Sequence, residues 1–375
     1  MTDWSTRVRP SLVGLEPYRP GPSISELKEE HGLDDIAKLN WNEDLFGPLP
    51  AAREAVVAEL ERAWMYPEQA YTDLREALAD WLGVRPEQLV PAHGIQALIA
   101  AVAHAFIRDG DAVVVARPTY GLYAQVSAAA GAEVERVPCG DLRLDADALA
   151  EAAQRRNARL VWVCDPNNPT GSLLESDEWA RLVDGVPEGT TIVVDEAYRE
   201  YVDPARRLRR EDDVASGRAV VLLRTFSKIF GLAGLRLGYA VVDKELAGFL
   251  DVVQEPFNVN RAALAAGRAC LADPAAIEAR RVESSDARAL LARLVSEAGM
   301  RPLPSEANFV LVEVGVDDAE LAEALVRRGL LVRPGSEFGL NGFVRVTVGP
   351  RPLMERAAEE LASVREALLA GKSLR

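Results

Sequence analysis

Five short apolar runs recur between residues 111 and 242, separated by stretches of helical character: Asp111 to Ala116 (D-A-V-V-V-A), Leu160 to Cys164 (L-V-W-V-C), Thr191 to Asp195 (T-I-V-V-D), Ala219 to Phe226 and Leu235 to Val242. β-Branched residues dominate several of them, and such side chains pack well on a pleated surface. Alternation of strand and helix predicts an α/β domain with a mostly parallel central sheet flanked by helices. The runs are apolar almost throughout, as strands covered on both faces are. Ligands of such sheets bind at the carboxyl ends of the strands, so polar residues at those ends are the place to look for chemistry.

Beyond roughly residue 260 the texture changes to Ala/Arg/Glu-rich helix. Then come Ala307 to Val314, a helix, Gly329 to Pro334, Gly342 to Gly349 and a closing helix, which predicts a smaller α+β domain. The start of the chain carries Pro10, Pro17, Pro20, Gly21 and Pro22 before a short helix, the pattern of an arm draped over the body. The expected division is residues 1–44 for the arm and part of the small domain, 45–258 for the large domain and 259–375 for the small one.

A chain of 375 residues with 49% hydrophobic and 27% charged residues can bury a sizeable core and a deep site. It has no run of 18 apolar residues, so a membrane span is not expected. The first sixteen residues include Asp3, Arg7, Arg9 and Glu16 rather than the apolar core of a secretory signal, and the expected location is cytoplasmic. A net charge of −15 repels polyanions, which argues against nucleic acid as a partner. Cys139, Cys164 and Cys270 are odd in number and lack metal-ligand spacing, so neither a disulfide framework nor a metal site is expected.

Four constellations stand at strand ends. In H-G-I-Q-A-L-I-A-A-V-A-H-A-F, His93 to Phe106, Ile95, Leu98, Ile99, Val102 and Phe106 mark one face of a helix that begins just after Gly94. A glycine there lets free N–H groups approach an anion. D-P-N-N-P-T-G, Asp165 to Gly171, sets a sharp turn directly after L-V-W-V-C. In V-V-D-E-A-Y, Asp195 closes an apolar strand, where a carboxylate needs a cation or hydrogen bonds, and Tyr198 brings a phenol nearby. Finally, in T-F-S-K-I-F-G-L-A-G-L-R, Lys228 sits without charged neighbours between Thr225, Ser227 and Arg236. A poorly solvated lysine loses its proton readily and is suited to forming a Schiff base, while arginine forks onto phosphate. One ligand answers all four: a phosphorylated carbonyl compound with a ring nitrogen, which is the description of pyridoxal 5′-phosphate (PLP).

These motifs resemble, in order and spacing, the signatures of the fold-type I PLP-dependent aminotransferases of class I/II, and within them the histidinol-phosphate aminotransferase branch. The resemblance spans nearly the whole chain, taking in P-Y-R-P-G (17–21), K-L-N-W-N-E-D (38–44), R-P-T-Y-G-L-Y (117–123), A-N-F-V-L-V (307–312) and V-R-V-T-V-G (344–349). It implies Lys228 as Schiff-base lysine and proton shuttle, Asp195 as partner of the pyridine nitrogen, Asn168 and Tyr198 at the ring's phenolic oxygen, and Tyr120 stacked on the ring. The phosphate would be held by backbone N–H groups near Gly94, Ile95 and Gln96, by Thr225, Ser227 and Arg236, and by Tyr66 of a neighbouring subunit, which implies a homodimer with shared sites. Arg345, Arg333, Tyr18 and Asn42 are the implied substrate contacts, and the reaction would move an amino group from a small-molecule donor to a 2-oxo acid.

The chain departs from the family pattern where substrates are chosen: the usual N-E-N-P reads Asn42-Glu43-Asp44-Leu45. Acids at 43 and 44 would tolerate a cationic donor, so an aminotransferase for another amino acid in a specialised pathway is the alternative, with a PLP-dependent decarboxylase of the same fold behind it. A nucleotide-binding protein lacks support, because neither G-x-G-x-x-G nor G-x-x-x-x-G-K-[ST] is present. His93 borders the phosphate turn and His104 lies in the apolar helix, where a structural role is expected.

Overall fold

Along the strand Thr191–Asp195, Ile192 and Val194 enter one apolar cluster and Val193 enters another. Val161 and Val163 part from Leu160 and Trp162 in the same way, as do Val220 and Leu222 from Val221 and Leu223. Successive strand side chains emerge on opposite faces, so such runs need a covering layer on each side. The computed structural model, which describes residues 2–17 and 22–371, has this three-layer α/β architecture. Tyr18 lies outside the described residues.

In chain order, a two-residue strand β1 (Ala37–Lys38) precedes the large sheet. That sheet comprises β2 (Leu89–Ala92), β3 (Ala112–Arg117), β4 (Glu133–Pro138), β5 (Leu160–Cys164), β6 (Thr191–Asp195), β7 (Val220–Thr225) and β8 (Gly238–Val241). Its spatial order is β2-β8-β7-β6-β5-β3-β4, and only β8 runs against its neighbours. A second sheet, order β12-β13-β10-β9, is antiparallel and is built from β9 (Arg301–Pro302), β10 (Phe309–Glu313), β12 (Arg333–Pro334) and β13 (Phe343–Thr347). Between the helix Asp318–Val326 and β12, β11 (Leu330–Leu331) pairs in parallel with β1.

Leu290, Leu291 and Val295 of the helix Pro274–Glu297 join Met354 and Leu361 of the helix Arg351–Leu369 against Val310, Val312, Val344 and Val346. Leu39 is part of that cluster, so the segment after β1 is tied to the small sheet. The helix Arg261–Leu271 buries Ala263, Ala266 and Cys270 in the core of the large sheet. Near the N-terminus, past a 3-10 turn at Trp4–Thr6, the turn Pro10–Leu12 lies against the body, where the Ser11 hydroxyl donates to the Ala129 carbonyl at 2.8 Å. Among the described residues no helix is long and apolar enough to cross a membrane.

Two strands of the large sheet escape the apolar-run criterion, and both are edges. β2 contains Pro91, which a strand tolerates at an edge, and β4 reads E-V-E-R-V-P, too polar to count as an apolar run. The expected strand from Leu235 starts only at Gly238, because Ala233–Leu235 winds into a 3-10 turn. Gly329 to Pro334 divides into β11 and β12, which serve different sheets. His104 is exposed on the last turn of its helix rather than packed in the core, and His93 is exposed too.

Candidate active site

At the end of β2, Gly94 adopts φ +91 and ψ 163, a conformation essentially restricted to glycine, and the helix Ile95–Phe106 starts at the next residue. Its buried face of Ile95, Leu98, Ile99 and Val102 fixes where the helix begins. A Cβ on Gly94 would lie 2.6 Å from a guanidinium nitrogen of Arg236. Arg236, itself left-handed at φ +56, donates to Ser227 Oγ at 3.3 Å and to the Ala233 carbonyl at 3.0 Å, and reaches Gln96 Oε1 at 3.5 Å. A guanidinium thus meets the positive end of a helix beside a hydroxyl, an arrangement that an anion stabilises. Thr225 differs from expectation: its buried hydroxyl donates to the Leu237 carbonyl at 3.3 Å and accepts the Ser227 N–H at 3.0 Å, so it shapes the turn instead of facing the cup.

Lys228, three residues beyond β7, is half-buried, and its Nζ donates to the carbonyls of Asn42 at 2.7 Å and Trp41 at 3.2 Å. Burial, with the nearby Arg345 charge, lowers its pKa to about 7, against the pull of Glu43 and Asp195. Asp195 ends β6 at 3% exposure, with Oδ2 accepting from the Tyr123 hydroxyl at 2.7 Å and Oδ1 from the Ala197 N–H at 3.0 Å. Burial raises its pKa to about 6 despite those bonds and the Lys228 charge. A carboxyl so placed suits a partner that brings a proton or positive charge.

Tyr198 lies 5.6 Å, measured at its ring centroid, from Lys228 Nζ, and its hydroxyl accepts from Asn42 Nδ2 at 2.9 Å. Burial pushes that phenol's pKa up, so it remains a proton donor. Asn168, in the loop after β5, accepts from Arg345 through Oδ1. Tyr120, after β3, accepts from Gln96 Nε2 at 2.9 Å and meets Tyr123 edge-on, with ring centroids 5.5 Å apart. Asn42 is not open to a substrate: at 1% exposure, its amide is engaged with Tyr198 and with Thr347 Oγ1 at 3.2 Å.

Arg345 on β13 is 4% exposed and donates to Asn168 Oδ1 and the Asn40 carbonyl. Arg333 on β12 is its direct cross-strand partner and forms an ion pair with Glu337. Asp44 departs from the expected readiness for a cationic donor. Its side chain is 1% exposed and pairs with Arg280 at 2.8 Å, with the Phe46 N–H at 3.0 Å on the same carboxylate. Glu43 pairs with Lys38 at 2.7 Å. Tyr66 is 79% exposed and stacks on Phe257 at 5.0 Å, turned outward from its own chain's site.

Sequence reasoning missed the support beneath these residues. Tyr123, inside R-P-T-Y-G-L-Y, stacks on Trp162 at 5.3 Å and thereby aims its hydroxyl at Asp195. Glu196 bridges Arg224 at 2.6 Å and Arg210 at 2.9 Å; Arg210 also pairs with Asp165, and Arg224 with Glu211 at 2.9 Å. Burial would raise the Glu196 pKa, but the arginines hold it at about 2. This buried network ties together the ends of β5, β6 and β7. The available signal was period two along V-V-L-L-R-T, which puts Arg224 on the face opposite Leu223, where a charge needs partners.

The donor set tests well against PLP. A phosphate would find the helix start and Arg236, a ring nitrogen Asp195, a phenolic oxygen Tyr198 and Asn168, and an aldehyde an amine of lowered basicity. Fold and site together define a PLP-dependent enzyme of fold type I. The family model for aminotransferase class I and II matches residues 34–361. The chain is 37% identical over 356 residues to histidinol-phosphate aminotransferase of Geobacillus thermodenitrificans, covering 95% of this chain and 97% of the relative. Against the Symbiobacterium thermophilum protein of the same name, identity is 39% over 354 residues, covering 94% and 97%. Among solved structures, Sinorhizobium meliloti histidinol-phosphate aminotransferase in complex with PLP aligns with TM-score 0.90 and 30% identity over 97% of this chain and 98% of that one. The chain belongs to the aminotransferase class I and II family, and it is a PLP-dependent transaminase.

Proposed function

We propose that this transaminase takes histidinol phosphate as amino donor and a 2-oxo acid as acceptor, with the residues above in the following roles. The observation that carries the substrate reading is the opposed pair Arg333 and Arg345 at the small-sheet side of the site, two cations suited to a phosphate or a carboxylate. Relatives at 33–39% identity that bear the histidinol-phosphate aminotransferase name support it. Asp44, spent on Arg280, no longer favours a cationic donor.

Bound PLP supplies an aldehyde that takes up the amino group and a ring that accepts the electron pair left on the donor's α-carbon. Gly94, Ile95 and Gln96 would hold the phosphate through backbone N–H groups, joined by Ser227 and Arg236. Asp195 would hold a proton at the ring nitrogen, Tyr198 and Asn168 would offer hydrogen bonds to the phenolic oxygen, and Tyr120 would lie beside the ring. Lys228, with a pKa of about 7, accepts the α-carbon proton near neutrality and returns it. Arg345 and Arg333 orient the donor so that this proton faces Nζ.

A homodimer belongs to the same reading. Trp64 is 82% exposed, Tyr66 79%, Val252 81%, and Val57 and Leu60 61% each. Apolar exposure on that scale fits an interface, from which Tyr66 would reach the phosphate held by a second copy. A cytoplasmic setting accords with three free cysteines.

The test is a panel of amino donors mixed with the holoenzyme while the absorbance of lysine-bound PLP is followed to that of pyridoxamine phosphate. Rapid conversion by histidinol phosphate is expected. Conversion by other amino acids but not by histidinol phosphate would replace this substrate.

A further inference from the structure

Asn42 is where three parts of the chain meet. Its backbone is left-handed at φ +55, a conformation asparagine tolerates but that the surroundings have to hold. Thr347, the last residue of β13, accepts the Asn42 N–H on Oγ1 at 3.1 Å and lies 3.2 Å from Asn42 Oδ1, while its hydroxyl donates to the Leu39 carbonyl at 2.8 Å. Asn308, just before β10, donates Nδ2 to the Asn42 carbonyl at 3.1 Å and to the Glu43 carbonyl at 3.3 Å. Thr347 is 0% and Asn308 2% exposed, so neither is open to a substrate.

So held, Asn42 presents two groups to the large sheet. Its carbonyl receives Lys228 Nζ at 2.7 Å, sharing its two lone pairs between that amine and Asn308. Its amide donates to the Tyr198 hydroxyl at 2.9 Å, which leaves the phenol's own proton directed elsewhere.

We propose that Thr347 and Asn308 are positioning residues for proton transfer: through Asn42 they fix where the freed Lys228 amine rests and which way Tyr198 donates. Neither touches the reacting atoms. The small sheet thereby sets the geometry of a proton carrier that belongs to the large one. This inference rests on Lys228 being that carrier.

The experiment compares Thr347→Val, Thr347→Ser and the near-isosteric Asn308→Leu with the native holoenzyme. PLP absorbance, kcat, KM and the isotope effect with an α-deuterated donor are measured for each. Thr347→Val and Asn308→Leu are expected to keep the absorbance of lysine-bound PLP and to lose about tenfold or more in kcat, with KM changing far less. Their isotope effect should grow as proton transfer becomes limiting, and Thr347→Ser should restore both. A kcat and isotope effect that stay native in Asn308→Leu, or in a folded Thr347→Val, overturn the proposal. So does a loss that serine does not rescue. Lys228→Ala, run alongside, separates the premise: full activity there defeats the reading of Lys228 itself.

Discussion

Arg333 and Arg345 stand directly opposite each other in the antiparallel pair β12–β13. Like charges in that relation repel at a separation of roughly 5 Å between Cβ atoms, and Glu337 pairs with Arg333. A substrate anion between them relieves the repulsion. Replacing Arg345 by Ala should therefore raise KM for donor and acceptor by about 10–100-fold, the worth of a lost charged hydrogen bond. Arg333→Ala should weaken the phosphorylated donor more than the 2-oxo acid. Steady-state kinetics on both substrates decide it, and unchanged KM values for both variants remove the pair from the substrate site.

The lowered basicity of Lys228 has two consequences, both of which grow as pH rises. Addition to an aldehyde needs the neutral amine, so PLP uptake by the apoprotein should rise with pH and reach half its maximum near pH 7, as stopped-flow absorbance would report. Because the folded pKa of about 7 lies below the ordinary 10.5, the unfolded chain binds the extra proton in between, and the apoprotein gains stability from this group as pH rises through that window. Lys228→Met should flatten that slope in denaturant midpoints. A slope that persists unaltered assigns it to other groups.

Gly94→Ala probes the phosphate cup. The φ of +91 costs a non-glycine residue about 1–3 kcal/mol, and the new Cβ displaces Arg236 from its place against the helix start. PLP affinity should fall by about tenfold or more in an equilibrium titration. Native affinity would show that the cup is not where phosphate binds.

Asp44 should behave as a structural acid. Removing one partner of a buried ion pair costs about 3–5 kcal/mol, so Asp44→Ala should lower the urea midpoint accordingly while leaving the ranking of amino donors intact. A changed donor preference at native stability would return Asp44 to the substrate site.

Local chemistry made much of this protein legible in its sequence. The near-continuous apolar runs of β3, β5, β6 and β7 specify a doubly covered sheet, because burial on both faces leaves no alternate position for a polar side chain. Gly94, Asp195 and Lys228 stood out as residues whose backbone or charge is costly at a strand end unless a ligand is there. Edge strands β2 and β4 did not stand out, since an edge tolerates proline and charge. Tertiary structure alone decided what lies far apart in sequence: Asp44 against Arg280, Tyr123 against Asp195, Glu196 among Arg210 and Arg224, and Asn42 held by Thr347 and Asn308. Ion pairs and hydrogen bonds depend on where side chains converge, and convergence across some 300 residues leaves no periodicity in the chain to read.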